Sequence, residues 1–160
     1  MSNPYELTSS PDRLSYQFTT DSGDKYTAYF TVFYLQNEQG EDLEISSFGF
    51  ERLKGELDAG SKFDPRVKVT ILHILLGFFK MHSEDAVLYI CFPGDGKARN
   101  RRITFSRWFN ELASDFIKHD SRAKYGELNF YSSLIVAKNN PRKDEIIQAF
   151  HHTISYWMDE

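Results

Sequence analysis

The stretch that decides the fold runs from Asp64 to Lys80, DPRVKVTILHILLGFFK, and is followed after five residues by a short apolar run from Ala86 to Phe92, AVLYICF. Asp64 can accept from the free N–H groups of a first helical turn, and Pro65 loses nothing there by lacking its own donor. From that start Val67, Ile71, Leu72, Ile74, Leu75, Phe78 and Phe79 make a helix apolar over much of its circumference, so it must be buried against a sheet. Gly77 permits close approach. The run Ala86 to Phe92 supplies one strand of that sheet.

Upstream, residues 13 to 50 read as three antiparallel strands. In the second, Tyr26, Ala28, Phe30, Val32 and Tyr34 alternate with Tyr29, Thr31, Phe33 and Leu35, a pattern expected of a central strand covered on two sides. Its connections, Asp21-Ser22-Gly23-Asp24 and Asn37-Glu38-Gln39-Gly40-Glu41, are rich in residues that tolerate turn dihedrals. Leu43, Ile45, Phe48 and Phe50 fit the third strand, and Glu51 to Phe63 reads as a loop. Downstream, Pro93-Gly94-Asp95-Gly96 is a turn. A second helix is expected from Arg101 to Lys118, with Phe105, Trp108, Phe109, Leu112 and Phe116 as its apolar stripe. A strand from Leu128 to Ala137 follows, and Asn140-Pro141 starts a final helix carrying Ile146, Ile147, Phe150, Ile154 and Trp157. The expected architecture is α+β, residues 1–160 as a single domain. Its single mixed sheet has about five strands and three helices, in the order β-β-β-α-β-α-β-α.

The 160 residues are 41% hydrophobic and 26% charged, which excludes collagen-like, repeat and wholly disordered chains. Fourteen Phe, nine Tyr and two Trp can fill a core at this size. The net charge of -4 argues against general nucleic-acid binding. The charge is unevenly spread: residues 1 to 64 carry five Lys/Arg against twelve Asp/Glu, residues 65 to 122 ten against six, and the remainder four against five. An anionic partner should therefore meet the middle third. A single cysteine, Cys91, in an apolar run fits a reducing compartment, and neither a signal peptide nor a membrane span is apparent, so the expected location is cytoplasmic. A homodimer is compatible with the aromatic-rich composition.

The chemically odd segment is Gly94-Asp95-Gly96-Lys97-Ala98-Arg99-Asn100-Arg101-Arg102. Lys97, Arg99, Arg101, Arg102 and Arg107 stand within eleven residues that contain no acid, at a strand-to-helix turn where open sheets commonly bind ligands. A helix N-terminus already carries partial positive charge, so cations there are locally unfavourable by roughly 0.3–1 kcal/mol each. Something negative should sit nearby. It is either an anionic small molecule or acidic protein surface held by backbone N–H groups and arginine forks, or the acidic first third of the chain folding back. The segment lacks the spacing and the Ser/Thr of a phosphate-binding Walker loop.

No metal site and no cofactor are implied. His151 and His152 are adjacent and so about 100° apart on a helix. His73 reads as a hydrogen-bonded core imidazole, and His82 and His119 as residues at helix ends. Cys91 reads as core, where burial blunts a nucleophile. No catalytic group is identified; Tyr131 or His152 could serve as an acid or base only if the protein were an enzyme.

The run from Thr70 to Phe79, the strand Val87 to Cys91 and the helix Arg99-x-Arg101-Arg102-x-x-Phe105-x-Arg107-Trp108-Phe109 together resemble small bacterial proteins that form a family of unknown function. The order of elements also resembles the middle of GNAT-like N-acetyltransferases. That resemblance implies acyl-CoA as substrate and a pyrophosphate grip at the helix start where this chain has Gly60 to Arg66. The alternative function is accordingly a divergent acyltransferase.

Overall fold

The structure, a computed structural model, describes residues 3–53, 64–91, 98–110, 115–125 and 128–158, with the side chains of all of these except 91, 98–103, 122–125, 128–130 and 156–158. The elements are β1 (Thr8–Ser9), β2 (Ser15–Thr19), β3 (Lys25–Gln36), β4 (Asp42–Leu53), α1 (Pro65–Met81), β5 (Ala86–Cys91), α2 (Ala98–Asn110), β6 (Phe116–Tyr125), β7 (Leu128–Ala137) and α3 (Lys143–Met158). The fold is α+β with three helices among the described residues and a single mixed sheet in the order β1-β2-β3-β4-β5-β7-β6. The sheet has seven strands rather than five. The short β1 precedes the expected first strand, and β6 occupies the expected end of the second helix and residues to which no element was assigned.

The chain divides into two compact units, one of Met1–Thr31 with Phe48–Met81 and one of Val32–Ser47 with His82–Glu160. In the first, α1 starts as its sequence requires: the Asp64 carboxylate accepts from the Arg66 N–H at 2.9 Å, satisfying a donor that has no partner within the helix. Phe78 of α1 stacks on Phe30 of β3 at 4.3 Å, and Phe48 of β4 lies 5.0 Å from the same ring. His73 is exposed on α1, not a core imidazole, because it falls on the narrow side of the helix that the apolar residues leave to solvent.

The N-terminal segment is tied to this helix. Tyr5 is buried, its N–H donates to Thr70 Oγ1 at 2.8 Å, and its ring stacks on Phe18, which stacks on Tyr26. The Tyr5 hydroxyl donates to Asp64 and accepts from the Asp21 N–H at 3.3 Å. Arg66 lies over the Tyr5 ring, 3.8 Å from its centroid, while pairing with Asp21 at 3.2 Å. On β4, Gly49 faces the Tyr29 ring so closely that a Cβ there would come within 2.7 Å of it. Gly49→Ala should therefore cost about 1 kcal/mol, the low end for overpacking because the half-exposed Tyr29 can swing aside. Urea unfolding of the variant, with Tyr29→Ala as the background that removes the clash, checks this.

In the second unit α3 buries Ile146, Ala149, Phe150 and Ile154 against Leu35, Leu43, Ile45, Ala86, Leu88, Leu134 and Val136. Its start is fixed by Asn140, whose Oδ1 accepts from the Arg142 N–H at 2.8 Å and whose amide donates to the Asp85 carbonyl at 3.3 Å. Toward its other end Thr153 Oγ1 accepts from the Gln36 N–H at 2.8 Å.

Strand β3 corrects one expectation. Its apolar residues of both parities are not covered on both sides throughout: Ala28 and Phe30 are buried at even positions, Leu35 at an odd one, while Tyr29, Val32 and Tyr34 are exposed. Each parity is buried over only part of the strand's length.

Candidate anion-binding site

Strand β5 ends at Cys91 and α2 begins at Ala98. Residues 92–97, and with them Lys97, lie outside the described residues, as do the side chains of Cys91, Arg99, Arg101 and Arg102. The backbone shows that Arg99, Arg101 and Arg102 do occupy the first turns of a helix, and that its first turn holds no acidic residue. Arg107 does not join them. Because β6 takes over from Phe116, α2 does not run to Lys118; Arg107 falls in the last turn of its described span, Ala98–Asn110, and is exposed. It stands about 9 Å along the axis from Arg101, where the helix dipole favours a cation.

The inner side of α2 is set by Phe105 and Phe109, both buried. Phe105 stacks on Tyr89 of β5 with ring centroids 4.2 Å apart, and Phe109 meets Phe116 of β6 edge-on at 6.4 Å. Beside them Lys118 of β6, whose side chain is only 11% exposed, donates from Nζ to Ser106 Oγ at 3.0 Å and to Asp120. Asp120 also accepts from Ser133 Oγ at 2.6 Å. A nearly buried ammonium is tolerable only with such partners.

The strand register orders these residues into rows. Tyr89 pairs with Ser133 and Ser133 with Asp120; one row on, Cys91 pairs with Tyr131 and Tyr131 with Arg122. Arg122 therefore takes the next position of the parity to which Lys118 and Asp120 belong, level with Cys91 of β5. Lys118, Asp120, Ser133 and Arg122 escaped the sequence reading because β6 itself did. The one available signal was the alternation of Lys118, Asp120, Arg122 and Lys124 at every second residue.

Tyr131 and His152 do not come together. Tyr131 shares the parity of Tyr89 and Ser133, whereas His152, on α3, contacts the Gln36 carbonyl through Nδ1 at 2.9 Å on the other side of the sheet. Among the described residues no group of three or more His, Cys, Asp or Glu could hold a metal ion, and no helix is long and apolar enough to cross a membrane.

An α+β sheet with a helix, α2, whose first turns carry Arg99, Arg101 and Arg102 is thus the class of structure in hand. The sequence profile of a family of unknown function, DUF6169, matches residues 63–152, more than half of the chain, and the chain belongs to that family. No curated protein and no solved structure matches it.

Proposed function

We propose that this protein is a binding module whose β5–α2 connection engages an anionic ligand, a phosphate- or carboxylate-bearing small molecule or an acidic protein surface. Lys97, Arg99, Arg101 and Arg102 carry the contact. The observation that supports it most is the register of β6, which adds the Arg122 position to the row at the end of β5 while Asp120, the carboxylate next along, already takes Lys118 and Ser133. A helix start with no acid in its first turn brings N–H groups that have no partner within the helix, which suit the same charge. Arg107 belongs to the opposite end of α2 and is left out of the contact set.

The acyltransferase alternative requires a pyrophosphate at the start of α1. That position is filled: the Asp64 carboxylate takes the Arg66 N–H and the Tyr5 hydroxyl, and a diphosphate would meet it as a like charge. Thermal unfolding in low salt with sulfate, pyrophosphate and acetyl-CoA separates the readings. The module reading expects stabilisation by the inorganic anions, about 2.7 kcal/mol at a hundredfold excess over Kd. That effect should weaken as salt rises and vanish in the double variant Arg101→Glu/Arg102→Glu. A response to acetyl-CoA alone would replace it with the acyltransferase, and no response to any of them would overturn both.

A further inference from the structure

The second unit contains a pair of imidazoles that the anion site does not use. His119 is central in β6, not at a helix end as its sequence context implied, and His151 lies on α3. Their rings meet edge to face with centroids 5.4 Å apart, and His151 also rests against Phe150 at 5.3 Å. Among the described residues neither imidazole has a hydrogen-bond partner.

We propose that His119 and His151 form a pH-sensitive clasp between the edge strand β6 and α3, closed while the His119 ring is neutral and loosened when it is protonated. An imidazolium here would sit beside a second ring and a phenyl group, and among the described residues of β6 and β7 no carboxylate shares its side of the sheet. From β7, the residue opposite His119 is Leu134, with Ser132 and Val136 flanking it. From β6, Lys118 and Asp120 have the opposite parity and pair with each other. From α3, Lys143, Asp144 and Glu145 lie in its first turn, and His152 is turned to the Gln36 carbonyl.

Burial first, and the neighbouring His151 second, lower the His119 pKa from its ordinary value, against a smaller opposing pull from Asp120. A depressed histidine contributes stability that is fully present above about pH 6.5, its ordinary value, and is lost as the pH falls toward the folded pKa. The clasp therefore fails on the acid side. Ser132, whose buried hydroxyl has no hydrogen-bond partner, sits one row from His119 on the same side of β7 and would gain access to water as α3 loosens.

Amide hydrogen exchange of the full chain, corrected for intrinsic rates and compared at pH 7.5 and 5.0, tests this. In the wild type, residues 143–155 should lose at least tenfold protection, with less than twofold change in α1. His119→Gln and His151→Gln should each hold the α3 loss below twofold. A wild type indifferent to pH, an α1 that loosens equally, or a variant as pH-sensitive as the wild type would overturn the clasp. Should a variant not fold, NMR titration of the wild-type ring protons decides: a His119 midpoint below 6.5 supports it, and one at or above 6.5 removes it.

Discussion

Phe105→Ala should destabilise the second unit by about 3–5 kcal/mol, the range for removing a fully buried phenyl group and leaving its cavity. The large value follows from where the ring sits. It is the inner contact of α2 (Ala98–Asn110), stacked on Tyr89 at 4.2 Å, and most helical stability in proteins comes from such packing. The loss should also reach the polar side of the contact, since Ser106 is the next residue and its hydroxyl helps satisfy the nearly buried Lys118. Urea unfolding of Phe105→Ala and Phe105→Leu checks this; the leucine variant, which keeps most of the volume, should lose under about 1.5 kcal/mol. A cost below 1 kcal/mol for alanine would mean that α2 is not seated on β5, and the basic helix start would then have no fixed place.

Elements with one strong local signal were recoverable from sequence. Asp64-Pro65 and Asn140-Pro141 mark the starts of α1 and α3 because capping is a property of neighbouring residues. Gly23 and Gly40, at φ of 89° and 80°, mark the turns because only glycine adopts those angles freely. Strand β6 carried no such signal. Lys118, Asp120, Arg122 and Lys124 fall at every second residue, so this parity of the strand lacks the apolar alternation by which strands are recognised. Phe116 then completed a helical stripe with Phe105, Phe109 and Leu112 by spacing alone, although it reaches Phe109 from a different element.

The candidate site divides in the same way. That cations crowd the start of α2 follows from the order of residues and the helix dipole. That Arg107 stands apart depends on where the helix stops, and the Arg122 position depends on a register between β6 and β7, a relation between residues that are not neighbours in the chain. The apolar parities of β3 misled for a related reason. Periodicity reports which residues can be buried, and only the position of a covering helix determines over what length each parity is.

The second large effect is expected at the start of α1. Asp64→Ala removes the cap on the Arg66 N–H, typically about 1 kcal/mol, and leaves the Tyr5 hydroxyl without its acceptor in a buried setting, a further 1–2 kcal/mol. A total of about 2–3 kcal/mol is expected, and Tyr5→Phe should recover part of it in the double variant because the stranded hydroxyl is gone. The same pair predicts an alkaline limit. Burial, followed by the hydrogen bond to Asp64, raises the Tyr5 pKa above 10, so the folded chain holds this proton more tightly than the unfolded one. Its contribution is complete below about pH 10 and declines as the pH rises through the higher folded value. Chemical denaturation between pH 8 and 11.5 should show that decline in the wild type and a flatter profile in Tyr5→Phe. An equal decline in both would assign the alkaline loss to other tyrosines and reduce the Tyr5–Asp64 contact to the helix cap alone.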